Sequence, residues 1–252
     1  HHICINSDPK NYRQSINTIA EDPNGDIWVA VEALGVFRYS DSKTQPIFYS
    51  AETYPCLSSV SSICFDQKGT IWFACFGKGL YSSSDQMASI DSYKTKNGSE
   101  IFKDEFITSI VSSYYNHLIV GSLKGGVWSI NLLSNEIQSI LEKDDSGNAV
   151  RCRKLLVTSK QDLLIGTESG LFIHNLQNGK NSHIRSSYYD PLSLSANSIY
   201  SMCEDSEGGL WFGTYFGGVN YQSPFYASFE KYYPENGEFG LKGKRIREIC
   251  QD

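Results

Sequence analysis

Six positions carry the side chains best suited to holding a polar ligand: Arg151, Arg153, Tyr200, Tyr215, Arg245 and Arg247. A guanidinium grips a carboxylate or sulfate with two parallel N–H groups, and an aromatic face stacks on the C–H surface of a sugar ring. Catalysis has less to work with. His117, His174 and His183 stand at unmatched places, where surface or turn roles suit them better than metal ligation or acid–base work. No GxSxG, P-loop or HExxH occurs. Asp22, Asp66 and Asp205 recur in one local pattern, and a recurring carboxylate serves structure, since a catalytic pair is unique within a site. The run DPNGD at 22–26 has its glycine fourth and Ala33 twelfth, which excludes an EF-hand. No catalytic residue, metal ligand or cofactor site is therefore expected.

The elements that would position these residues follow from self-similarity. DPNGDIWVAV (22–31), DQKGTIWFAC (66–75) and DSEGGLWFGT (205–214) share one spacing of acid, glycine and tryptophan. Two altered copies, SYYNHLIVGS (113–122) and TSKQDLLIGT (158–167), lie between them, with Ile119 and Leu164 in place of tryptophan. The anchors Trp28, Trp72, Ile119, Leu164 and Trp211 are then 44, 47, 45 and 47 residues apart. Each unit offers four short strand-like segments joined by glycine turns, and no amphipathic helical window interrupts them. A period of this length with four strands is the signature of a β-propeller blade. One blade has two apolar faces, and stacking blades face to face buries both. The tryptophan is expected between blades and the aspartate in the turn. The turn shapes of the third and fourth copies are left open, because Asp and Gly are missing there.

Bulk properties agree with an all-β protein. The chain has 252 residues, 13% aromatic and 20% charged, with net charge −6. That balance argues against a nucleic-acid partner. No apolar run is long enough to span a bilayer. Of the seven cysteines, Cys64, Cys203 and Cys250 occupy one repeat position that Ala20 fills in the first copy, as small buried side chains do. A disulfide framework or zinc site is not indicated. His1 and His2 open the chain in the manner of a purification tag and are given no weight.

Several propeller families carry Asp, Gly and Trp. The Asp-box of sialidases puts glycine two places after aspartate, where here it is three. WD repeats need Gly-His and Trp-Asp pairs that do not recur, and quinoprotein blades offer a looser order. The run YYDPLSLSANSIYSMCEDSEGGLWFGTYFGGVNYQSP (188–224) resembles the two-component regulator propeller repeat. The places filled are Leu192 to Leu194, Asn197 to Ile199, Glu204-Asp205, Gly208, Leu210 to Thr214 and Gly217 to Val219. The resemblance spans nearly the whole chain and fades in the third and fourth copies.

That resemblance implies the periplasmic sensor region of a Bacteroides-type hybrid two-component system, part of an inner-membrane protein. The partner it implies is an oligosaccharide or other small glycan. It also implies a downstream membrane helix, histidine kinase and response regulator modules outside this chain, control of carbohydrate use, and a homodimeric full-length sensor. A polysaccharide-active lyase or hydrolase, or an interaction scaffold, stays as the alternative.

The expected architecture is an incomplete ring of four-stranded blades. Residues 1–14 are read as the outer strand of a preceding blade and a linker. The blades run over 15–58, 59–105, 106–148, 149–194 and 195–224. Residues 225–244 form a spacer, with a second propeller as one possible destination, and 245–252 the first strand of a further blade. If the first strand is innermost, its leading end and the turn between the second and third strands share one face. Residues that break the repeat there are the ligand candidates. Five places before the acidic position stand Asn17, Ser61, Thr108, Arg153, Tyr200 and Arg247, and two earlier stand Ser15, Ser59, Phe106, Arg151, Ser198 and Arg245. The turn contributes Glu32, Phe76, Leu123, Glu168 and Tyr215. A solvated strand end and a cationic, aromatic rim for a sugar, an acidic one included, both fit these residues.

Overall fold

The computed structural model describes residues 15–40, 45–113, 115–190, 193–224, 229–232 and 249. Consecutive strands pair in order within five sheets of four, all among the described residues. The first sheet holds β1 (Ile16–Glu21), β2 (Ile27–Val31), β3 (Gly35–Tyr39) and β4 (Ile47–Ser50). The second holds β5 (Val60–Phe65), β6 (Ile71–Cys75), β7 (Gly79–Ser83) and β8 (Asp91–Ser92). The third holds β9 (Ile107–Ser112), β10 (His117–Ser122), β11 (Val127–Asn131) and β12 (Ile137–Leu141). The fourth holds β13 (Cys152–Val157), β14 (Asp162–Thr167), β15 (Leu171–Asn175) and β16 (Asn181–Ile184). The fifth holds β17 (Ile199–Glu204), β18 (Leu210–Thr214), β19 (Val219–Gln222) and β20 (Phe229–Tyr232). These are propeller blades, as the repeat predicts. The chain divides into two compact units, one of residues 1–120 with 129–137 and the other of 121–128 with 138–252.

Burial follows from blade geometry. The second strand of a blade is covered on both faces, so β6 is buried at every residue and reads as the unbroken apolar run IWFAC. The outermost strand is half solvated, and β4 has no buried residue. In the first unit Trp28, Val36, Leu57, Ile63 and Phe73 form one core that joins the first sheet to the second. In the second unit Leu164, Leu171, Ile199, Met202 and Phe212 do the same for the fourth and fifth. Each of these large side chains stabilises the fold by about 1.5–3 kcal/mol.

The fifth sheet runs further than the 195–224 expected. Phe229–Tyr232 pairs antiparallel with β19, Asn220 facing Lys231 and Tyr221 facing Glu230. Part of the anticipated 225–244 spacer is therefore the blade's outer strand. A ladder sets its edge by main-chain hydrogen bonds, and no glycine turn marks this strand in the sequence.

The repeated aspartate and tryptophan prove to be one device. Trp28, Trp72 and Trp211 hold equivalent places, each the second residue of its strand and each opposite a small partner, Ala20, Cys64 or Cys203. The recurring cysteine position is small because an indole lies across from it. Each indole N–H donates to the carboxylate six residues earlier: to Asp22 at 3.0 Å, Asp66 at 3.0 Å and Asp205 at 2.9 Å. The other carboxylate oxygen accepts two backbone amides of the turn, such as Lys68 and Thr70 at 2.9 Å from Asp66. The glycine between them takes φ near +80° (Gly25 +87°, Gly69 +80°, Gly208 +83°), where a side chain is strained. The altered copies keep the turn. Asn116 and Gln161 adopt φ of +56° and +65°, and Ser113 and Thr158 close the same main-chain bonds at 2.8 and 2.9 Å.

Two of these carboxyls sit below the ordinary carboxylate range. For Asp205 the leading cause is the Trp211 N–H, which with the turn amides outweighs the opposing pull of desolvation. For Asp22 burial pushes upward, but Trp28, the Asp26 and Asn24 amides and Arg38 together pull it further down. A depressed folded-state pKa contributes stability that is complete above the unfolded value, near pH 4, and is lost as pH falls through the folded value. The melting temperature is expected to drop between pH 5 and pH 3, and Asp22→Asn to flatten that drop in a thermal-melt series. Burial, then the Asp66 charge, pushes the Cys64 thiol up, so it stays protonated and inert.

Candidate binding site at the blade ends

Four of the positions picked out five places before the acid share a backbone peculiarity. The pairing of first and second strands skips one residue between Ile16 and Thr18, Val60 and Ser62, Cys152 and Lys154, and Ile199 and Ser201. The skipped residues are Asn17, Ser61, Arg153 and Tyr200. Each is a β-bulge, an extra residue with no partner across the ladder, which re-aims its side chain. The turn after the second strand is tied to the start of the first: Glu32 N to Ser15 O at 2.9 Å, Phe76 N to Ser59 O at 2.8 Å, Glu168 N to Arg151 O at 3.3 Å and Tyr215 N to Ser198 O at 2.9 Å. Bulge, strand start and turn thus meet at one end of each of these four blades, as expected.

In the second unit this end carries a continuous cluster. Arg153 pairs with Glu168 through Nη2 and, at 3.2 Å, through Nε. Its guanidinium carbon lies 4.7 Å from the centre of the Tyr200 ring. Tyr200 packs on Tyr215 with centres 4.9 Å apart, and Tyr215 meets Phe216 edge-on at 4.3 Å. Arg151 reaches the other Glu168 oxygen at 3.4 Å. Its side chain is 65% exposed against 24% for Arg153, and Phe216 is 68% exposed. The arrangement is a half-buried cation locked between a carboxylate and an aromatic face, with a second cation and a ring open to solvent. Such a surface can stack a sugar ring, donate to its hydroxyls from Arg and accept from them at Glu.

Four of the six ligand candidates, Arg151, Arg153, Tyr200 and Tyr215, are brought together here. Arg245 and Arg247 lie outside the described residues. Glu168, expected only as a turn residue of the same face, is the partner of both arginines. Its place in the repeat equals that of Tyr215, and that equivalence is the signal that could have paired it with them. In the first unit the same end holds Asn17, Ser61 and an edge-on pair, Phe76 and Phe106, 5.1 Å apart. The histidines serve local structure. His117 contacts Ser129 and Asn131, His174 contacts Asn181, and His183 stacks on Phe172 between Asp145 and the Ser169 carbonyl.

Comparison with known proteins follows the same lines. Residues 13–33 and 193–216 match the profile of the two-component regulator propeller family. No curated protein matches the chain. Among solved structures, one similar fold is the extracellular domain of a protein described as a hybrid two-component system from B. thetaiotaomicron, with TM-score 0.68 and 18% identity. The match covers 96% of this chain and 36% of that one. PorZ of Porphyromonas gingivalis gives TM-score 0.65 at 16% identity, over 94% of this chain and 36% of its own. Virginiamycin B lyase from Staphylococcus aureus gives 0.63 at 12% identity, over 89% of this chain and 74% of its own. At such identities the likeness is one of fold, and this chain spans little more than a third of the first two. The chain is a β-propeller that carries the two-component regulator propeller repeat at residues 13–33 and 193–216.

Proposed function

We propose that the chain is part of the extracytoplasmic, ligand-sensing region of a hybrid two-component sensor. In this reading it binds an oligosaccharide at the bulged ends of the fourth and fifth blades and takes no catalytic step. The region is the periplasmic part of an inner-membrane protein whose kinase and response regulator modules control carbohydrate use. The observation that carries it is the Arg153–Glu168–Tyr200–Tyr215 cluster, built from positions that break the repeat in a chain bearing this family's repeats. Residues that recur serve packing and turns. A ligand meets only some blades, so its contacts depart from the pattern. Glu168 already occupies both arginines, so a neutral sugar can bind beside the pair, while an acidic one has to displace the carboxylate.

The test is a glycan panel against the complete extracytoplasmic region, followed by thermal shift, since a ligand that favours the folded state raises the melting temperature. At least one glycan is expected to do so. Arg153→Ala is then expected to weaken that glycan by about ten- to a hundredfold, the loss of one charge-assisted hydrogen bond. A folded Arg153→Ala protein that binds its glycan unchanged moves the site elsewhere. Depolymerisation of a polysaccharide by the metal-supplemented protein overturns the non-catalytic reading.

A further inference from the structure

The opposite end of the fourth blade lacks the device that closes the first. Around Trp28 the first blade places Tyr49, stacked at 5.7 Å and 3°, Phe65 of the next blade at 5.9 Å and the Arg38 guanidinium 5.3 Å above the indole. Register fixes the counterparts in the fourth blade. Trp28 faces Ala20 and Arg38 across its sheet, while Leu164 faces Leu156 and Ile173. Tyr49 pairs with Val36 as Ile184 pairs with Leu171. Phe65 is the last residue of β5, as Glu204 is of β17. A tryptophan, a tyrosine, a phenylalanine and an arginine are thus replaced by Leu164, Ile184, Glu204 and Ile173. Thr158 stands where the clamping aspartate would be.

The result is a cleft of about 400 Å³ between the fourth and fifth blades, with Leu164, Ile173 and Leu210 among its walls and Lys160, Asp162 and Glu204 among its polar lining. That volume lies within the range of small-molecule sites. Glu204 bridges its mouth, accepting from Ser159 N at 2.7 Å and Ser159 Oγ at 2.6 Å. Leu164 is 1% exposed and packs with Leu171, Ile199 and Phe212, so the apolar walls open to a guest are the half-buried Ile173 and Leu210.

We propose that this cleft is a binding site for a small planar aromatic molecule bearing an N–H donor, with indole its simplest form. The flat shape suits the slot between two stacked sheets, which elsewhere in the chain is filled by an indole in the same register. Ile173, Leu210 and Pro224 give the cleft one apolar side, which favours an apolar body there. Asp162 accepts from Asn175 Nδ2 through one carboxylate oxygen at 2.8 Å, and its second oxygen favours a donor on the guest. The site is independent of the blade-end cluster, which lies at the other end of β13.

The probe is indole itself, titrated into the whole chain carrying labelled Leu and Ile methyl groups. Saturable shifts at Leu164, Ile173 and Leu210 are expected, with a melting-temperature rise of about 3–6 °C at tenfold excess over Kd. Indene, the same shape without the N–H, is expected to bind about three- to tenfold more weakly. Leu164→Trp should melt higher than the parent and lose the indole response. Binding without shifts at those three methyls, no binding at millimolar indole, or an undiminished response in Leu164→Trp each overturns the proposal. Equal affinity for indene overturns the donor requirement. If Leu164→Trp does not fold, the methyl map of the parent chain decides alone.

Discussion

Asp66→Ala is expected to lower the unfolding free energy by about 3–5 kcal/mol. The carboxylate holds three donors: the Lys68 and Thr70 amides and the Trp72 indole N–H. Water can reach the amide of the exposed Lys68 after the change. It reaches the indole poorly, since Trp72 is 7% exposed, and an orphaned buried donor alone costs about 1–3 kcal/mol. Asp66→Thr should be milder, because in the equivalent turn of the fourth blade the Thr158 hydroxyl accepts the Asp162 amide at 3.1 Å. Urea titration followed by tryptophan emission measures both. If alanine and threonine cost the same and each costs under about 1 kcal/mol, the clamp contributes little and the blades hold by apolar packing alone.

Gly79→Ala should match that loss, at about 3–5 kcal/mol, for a different reason. Gly79 opens β7 at φ +102°, and a Cβ there would stand 2.2 Å from the Phe102 carbonyl oxygen and 3.0 Å from its carbon. Backbone has to move, and the outer part of the blade moves with it. Gly69→Ala supplies the control. Its φ of +80° is also left-handed, but nothing lies within 4 Å of the added carbon. Only conformational strain remains, about 1–2 kcal/mol. Melting temperatures of the two variants separate strain from collision, and equal shifts would mean the close approach to Phe102 is without consequence.

The sequence disclosed most where the fold repeats itself. Five copies of one unit show period, strand order and turn together, and the Asp–Gly–Trp spacing marks the position where an indole sits. Hydrogen bonding between that Asp and Trp was not legible, because spacing along a chain does not say which atoms meet. The outer strand at Phe229–Tyr232 escaped because edge strands are short, half solvated and poor in pattern. Arg153 and Tyr200 stood out as departures from the repeat, yet their contact joins residues 47 apart and depends on how neighbouring blades pack. Glu168 was hidden by its role in a turn. The bulges left no compositional trace. One extra residue alters the ladder without altering the residue types around it.

Those bulges separate two pressures that usually conflict. A residue inside a ladder answers to a neighbour across the strand, so altering it disturbs the sheet. Asn17, Ser61, Arg153 and Tyr200 have no ladder partner, and a side-chain contact such as Ser61 Oγ to Ala74 O at 3.1 Å leaves the flanking register the same. Amide, hydroxyl, guanidinium and phenol have all been accepted at one backbone address with the flanking register unchanged. The fold thereby behaves as a rack of interchangeable heads on a fixed frame, and recognition can drift from one ligand to another through point changes that leave the strand register in place.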